Sequence, residues 1–120
     1  MATTSCDPST GNAEIAFTFR DNSTNEELFW VDVNQSAWSG PGAPSPWGFK
    51  TLTSSTGSGG TVIWVWTVAD SLSGGPPTTP VENRTYYWRV RAHNSGGDSA
   101  HVYPANSTTP PGTAITTPVC

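Results

Sequence analysis

Hydrophobic and polar residues alternate at period two in several stretches of the chain. In Ala13–Arg20 (AEIAFTFR), Ile15, Phe17 and Phe19 share one face. In Leu28–Val33 (LFWVDV), Phe29, Val31 and Val33 share one face, and Trp30 and Asp32 take the other. In Thr85–His93 (TYYWRVRAH), Tyr86, Trp88, Val90 and Ala92 oppose Tyr87, Arg89, Arg91 and His93. Such alternation predicts strands with one buried and one wet face. Thr61–Val68 (TVIWVWTV) is the strongest β segment, rich in β-branched and aromatic residues. Both its faces are apolar, Val62/Trp64/Trp66/Val68 and Ile63/Val65/Thr67, so either both are covered or one is a sticky surface. Phe49–Thr53 reads as a short edge strand, Ala100–Tyr103 as a returning strand after the turn residues Asn94–Gly97, and Ala114–Thr116 as a further edge strand. Residues 1–12 read as a polar lead-in, 34–48 as a long Pro/Gly loop, 54–60 as a turn and 105–120 as a Thr/Pro-rich extended tail. One domain over 13–104 is expected.

Two of these stretches carry a family resemblance. Asp21–Val31 (DNSTNEELFWV) and Thr85–Ala100 (TYYWRVRAHNSGGDSA) resemble, in order and spacing, the strand-leading run and last hairpin of the bacterial-type fibronectin type III domain. The resemblance runs from about Pro8 to Pro104. It implies an all-β, immunoglobulin-like sandwich of about seven antiparallel strands in two sheets. It also implies a non-catalytic module of a secreted or surface protein that acts as a spacer, adhesion or assembly unit. Tyr86 stands where the family places its tyrosine corner, a hydroxyl that ties the connecting loop to the strand. Near Phe19 the family commonly has Trp, so the core is expected to pack differently there.

Composition narrows the picture. Val, Ile, Leu and Phe total only 19 residues, yet six Trp and three Tyr add to the four Phe. Each aromatic buries about 150–250 Å², so the core is expected to be aromatic-heavy. Eleven Pro and twelve Gly disfavour long helices. Fourteen Ser and eighteen Thr make a hydroxylated surface, which points to an extracellular setting. Nine acids against five bases leave no basic patch, so nucleic acid is not an expected partner. No apolar run is long enough to span a bilayer, and Met1–Cys6 lacks the apolar stretch of a secretory signal.

No chemistry-bearing motif stands out, and no cofactor or metal is expected. His93 and His101 flank the last turn without a third ligand nearby. Glu26 and Glu27 sit in the loop before a strand, not in an evident cleft. Cys6 and Cys120 bracket the domain. A bridge within the chain, a link between chains and free thiols all stand open, with oxidation expected in an extracellular compartment. Asn22, Asn34, Asn83 and Asn106 each open a glycosylation triplet, and Asn22 and Asn83 equally suit turns. Trp30, Tyr87, Arg89 and Arg91 are expected on one outward face, with Trp38 and Trp47 in the Pro/Gly loop. That set either binds a sugar ring or a protein loop, or covers the sheet by cation–π packing of its own. The expected partners are other protein domains, further copies of the chain or a polysaccharide. A subunit of an extracellular filament or virion and a carbohydrate-binding module are the competing readings.

Overall fold

The computed structural model describes residues 1–21, 27–40, 42, 44, 47–53, 59–74, 79–99, 101–103 and 114–120, and their regular elements are all strands. In chain order these are β1 (Ala2–Cys6), β2 (Ala13–Arg20), β3 (Leu28–Asn34), β4 (Gly48–Thr53), β5 (Thr61–Trp66), β6 (Ser73–Gly74), β7 (Thr85–Asn94), β8 (Gly97–Asp98) and β9 (Ile115–Thr116). One sheet has the order β1-β2-β5; the other runs β6-β4-β3-β7-β8, with β9 also on β7. Every pairing is antiparallel. The expected all-β, two-sheet architecture is present, with nine strands among the described residues rather than about seven. Asn22, Glu26, Asn106, the turn at 54–58 and tail residues 105–113 lie outside the described residues.

The alternation predicts the core. Ile15, Phe17, Phe29, Val31, Val33, Trp88 and Val90 are buried, and Phe19 and Ala92 are half-buried against them. Trp64 and Trp66 join from β5. The two sheets meet through rings: Phe17 lies 5.0 Å from Trp88, Phe19 5.2 Å from Phe29 and Trp66 5.0 Å from Tyr86. Phe17 also stacks on Trp64 within its own sheet at 5.4 Å. Burying one such side chain stabilises by roughly 1.5–3 kcal/mol, so a few rings replace the missing aliphatic residues.

The two flanks fare differently against expectation. The lead-in is not loose: Ala2–Cys6 pairs along β2 from Ala2↔Phe17 to Cys6↔Ala13. It is polar because only one face meets protein. Ala2 packs on the core, while Ser5 Oγ donates to Glu14 Oε1 across the ladder at 2.9 Å. The end of the tail holds the edge strand expected at Ala114–Thr116. Ile115 and Thr116 pair with Tyr86 and Thr85 on β7. Thr117 N–H then donates to Arg84 O, and Asn83 N–H donates to Pro118 O. The path carries Cys120 to the pole where β1 ends, and Cys6 and Cys120 form a disulfide with Cα atoms 5.8 Å apart. Of the three states open for these cysteines, the bridge within the chain is the one formed.

Candidate functional site

The outer face of the larger sheet holds most of the expected contact residues. The β3–β7 register sets Trp30 opposite Arg91, Asp32 opposite Arg89 and Asn34 opposite Tyr87. Side chains at one register position share a face, so the outward set named from periodicity is brought together. It does not form an open surface. Arg89 is 1% exposed and Trp38 2% exposed. The reason is that Trp38, Gly40 and Trp47, described residues of the connection between β3 and β4, lie over Arg89. The Arg89 guanidinium lies 4.3 Å from the Trp38 ring centre and 5.1 Å from that of Trp47. Its Nε donates to Asp32 Oδ2 at 2.9 Å, and its Nη1 donates to Tyr103 Oη and Gly40 O at 3.3 and 3.4 Å. A buried cation thus lies among a carboxylate, two indole rings and a phenol.

Next to it, Arg91 lies 4.8 Å from the Trp30 ring centre, and Trp30 stacks on Phe49 of β4 at 5.0 Å. Arg91 pairs with Asp98, which also bonds His93 Nδ1. The His93 bond, helped by the Arg91 charge, holds the Asp98 carboxyl below its ordinary value. Tyr87 is half-buried on the same face. His93 and His101 have different partners. His101 Nε2 is 3.6 Å from Asp32 Oδ2. Burial, then the positive charge of Arg89, lowers the His101 pKa against the opposing pull of Asp32. Asp32 Oδ1 has no hydrogen-bond partner among the described residues. Among those residues no three His, Cys, Asp or Glu side chains gather to hold a metal ion.

Of the glycosylation candidates, Asn34 is buried. Its Oδ1 accepts from the Gln35 and Ser36 amides, and its Nδ2 donates to Pro44 O, so the side chain is part of the loop that covers Arg89. Asn83 is exposed, in a turn with φ 51°, a left-handed conformation that Asn tolerates. Glu27 is exposed and accepts from the Ser95 amide, which links its loop to the last hairpin.

The site that periodicity left undecided is on β5. Trp64 and Trp66 point into the core, whereas Ile63 is 65% and Val65 38% exposed on the outer face of the smaller sheet. At the end of this strand the Asp70 carboxylate accepts from Trp64 Nε1 at 2.8 Å and pairs with Lys50. The Lys50 bond, partly offset by burial, lowers the Asp70 pKa. Among the described residues β5 pairs with β2 and no other strand, so no described strand lies along its far edge.

The sequence pattern could not show that a loop covers Arg89, but one signal was present. Asp32 is a lone acid in the middle of LFWVDV, and a charge there needs a partner across the ladder. Comparison with family models, characterised proteins and solved structures finds no match to the chain.

Proposed function

We infer that the chain is an immunoglobulin-like sandwich of the fibronectin type III kind. Its role is that of a non-catalytic structural or adhesion module outside the cell, working as an assembly unit. Three features support the type. The first, second and fifth strands make one sheet, and the third and seventh are central in the other. The Tyr86 hydroxyl accepts from the Val81 amide at 2.8 Å, a corner bond from strand to preceding turn. The Cys6–Cys120 bridge suits an oxidising compartment.

The observation that carries the function is β5. It is an uncharged apolar strand with its side chains half outside and, among the described residues, no strand on its far edge. Surface of that kind marks interaction. The aromatic faces on which a sugar would stack are turned to Arg89, Arg91 and Phe49. That packing favours assembly over carbohydrate binding. The described end of the tail, 114–120, is bound within its own fold, so assembly does not run through it. Sedimentation velocity on the oxidised chain from micromolar to millimolar concentration is the test. The average mass is expected to rise with concentration, and a chain that stays monomeric throughout overturns the assembly reading.

A further inference from the structure

The phase of the β2–β5 ladder fixes which backbone groups the open edge presents. Asp21 N–H donates to Gly60 O at one end of the ladder. Hydrogen-bonded and non-bonded pairs alternate along an antiparallel ladder. With the register Phe19↔Val62, Phe17↔Trp64 and Ile15↔Trp66, these pairs are the bonded ones. Thr61, Ile63 and Val65 therefore turn their amides and carbonyls away from β2. Two other bonds agree with this phase. Thr18 N–H points away from β5 and donates to Met1 O, while Thr67 O lies on the open side of β5 and accepts from Asp70 N–H. Ile63 and Val65 thus offer backbone groups that no described residue pairs with, together with exposed apolar side chains.

We propose that this edge pairs with the same edge of a second copy, antiparallel, about a two-fold axis at Ile63. The proposal rests on the assembly reading above and names its partner. Pairing Ile63 with Ile63, and Thr61 with Val65 in both directions, gives about six backbone hydrogen bonds and extends the small sheet to six strands. On the outer face the same register sets isoleucine against isoleucine and valine against threonine, cross-strand pairs that stabilise a sheet.

Charge selects this occupant and this orientation. The chain carries a net charge of −4, so copies repel in general. Thr61–Ala69 contains no ionisable side chain, so copies meet there with no like charges opposed. Arg20, opposite Thr61, lies at one end of β2, and Glu14 lies just beyond Ile15 at the other. Antiparallel pairing turns the Arg20 end of one copy toward the Glu14 end of the next; parallel pairing would align like with like. β5 also lacks the devices that keep other edges apart, such as a lysine, a proline or a bulge. Specific, stable interfaces bury about 1,200–2,000 Å². A five-residue edge with two exposed apolar side chains buries less, so the contact is weak and builds with local concentration.

The test uses the oxidised full chain with Ile63→Lys, Val65→Pro and, as a control on a remote exposed position, Val81→Lys. Ile63→Lys adds a charge at the axis, and Val65→Pro removes an amide that β2 does not use. Thermal melts confirm that each variant folds; should Val65→Pro fail, Ile63→Lys and amide exchange decide. Expected are a sedimentation mass rising toward two chains for wild type and Val81→Lys, and a monomer for both β5 variants. Exchange of the Ile63 and Val65 amides should slow as wild-type concentration rises. Association that survives Ile63→Lys with unchanged exchange overturns the edge proposal and leaves the assembly reading standing. A wild-type monomer at millimolar concentration overturns both. Protection of these amides only on adding an uncharged, β-branched peptide would replace the second copy with a foreign strand, and so overturn the proposal too.

Discussion

Arg89 and Asp32 make the sharpest statement at the residue scale. Both are almost fully buried, and each is neutralised by the other. Removing one charge from such a pair leaves the other unpaired in a dry site, at a cost of about 3–5 kcal/mol, whereas replacing both by apolar groups is often near neutral. Arg89→Met alone is therefore expected to destabilise by about that amount in urea melts. Arg89→Met with Asp32→Leu should recover most of it, and equal losses for single and double variants would show that the cation–π contacts with Trp38 and Trp47 dominate instead. His101 gives a second prediction. Its folded pKa lies below the ordinary 6.5 because of burial and the Arg89 charge, against Asp32; Arg91 and Asp98 add smaller, opposed effects. The unfolded chain then binds a proton that the folded chain resists, so stability is full above pH 6.5 and is lost as pH falls toward the folded value. Melting temperature should drop between pH 7.5 and 5 in wild type and drop less in His101→Gln. Parallel pH profiles would remove His101 from the account. The depressed Asp70 and Asp98 carboxyls act in a separate, more acid window, below 3.8. The outward position of Arg89 was legible from period two. Its burial was not, because alternation reports which face a residue takes and nothing of what a distant loop lays on that face.

The same limit recurs among the elements. β2, β3, β5 and β7 were legible because each sets large apolar residues at every second position. β1 was not: ATTSC offers a single small apolar residue inward, and its strand forms through ladder bonds and the disulfide rather than burial. β9 was readable only as a candidate, since Ile115 is its one apolar residue and Pro and Thr surround it. What holds it is Thr117, just after β9, whose buried hydroxyl reaches into the turn before β7. Its Oγ1 accepts from Arg84 N–H at 3.0 Å and donates to Val81 O. The Val81 amide is meanwhile satisfied by Tyr86 Oη. One turn residue thus has its donor held by the strand and its acceptor held by the tail, so β7 and β9 are locked together through Val81. Thr117→Val keeps the shape and removes the hydroxyl, leaving part-buried backbone groups of Val81 and Arg84 without that partner at about 1 kcal/mol, the low end of the range for a buried group. Chemical denaturation should show that loss, with amide exchange speeding first around residues 81–84 and 115–117. A change below about 0.5 kcal/mol, the usual range for surface substitutions, would mean that the disulfide alone seats the tail.

Across the whole molecule the disulfide decides how the parts share load. It joins residues 114 apart in sequence, and closing a loop of that size stabilises by about 5 kcal/mol in the chain-entropy model. That is comparable to the lower end of the net stability of a typical domain, about 5–15 kcal/mol. Reduction, or Cys6→Ser with Cys120→Ser, should therefore move the denaturation midpoint by several kcal/mol, and a shift under 1 kcal/mol would contradict the entropic account. The bridge also sets a mechanical path. β1 runs from the Thr18 pole to the Ala13 pole, and Cys120 is joined to its far end. Tension applied between Met1 and Cys120 therefore passes through six residues and the bridge, and residues 7–119 carry none of it. Pulled at those two points by single-molecule force spectroscopy, the oxidised chain should lengthen to no more than about 25–28 Å, six residues at roughly 3.3–3.6 Å each plus the bridge, whose Cα atoms are 5.8 Å apart. The reduced chain should give an unfolding event and extend to roughly 400 Å. A long extension in the oxidised chain would mean that the bridge is not formed under load. A short extension that lengthens only on adding a reductant would make the Cys6–Cys120 bond the element that bears force, with the sandwich held beside it, folded and free to present β5.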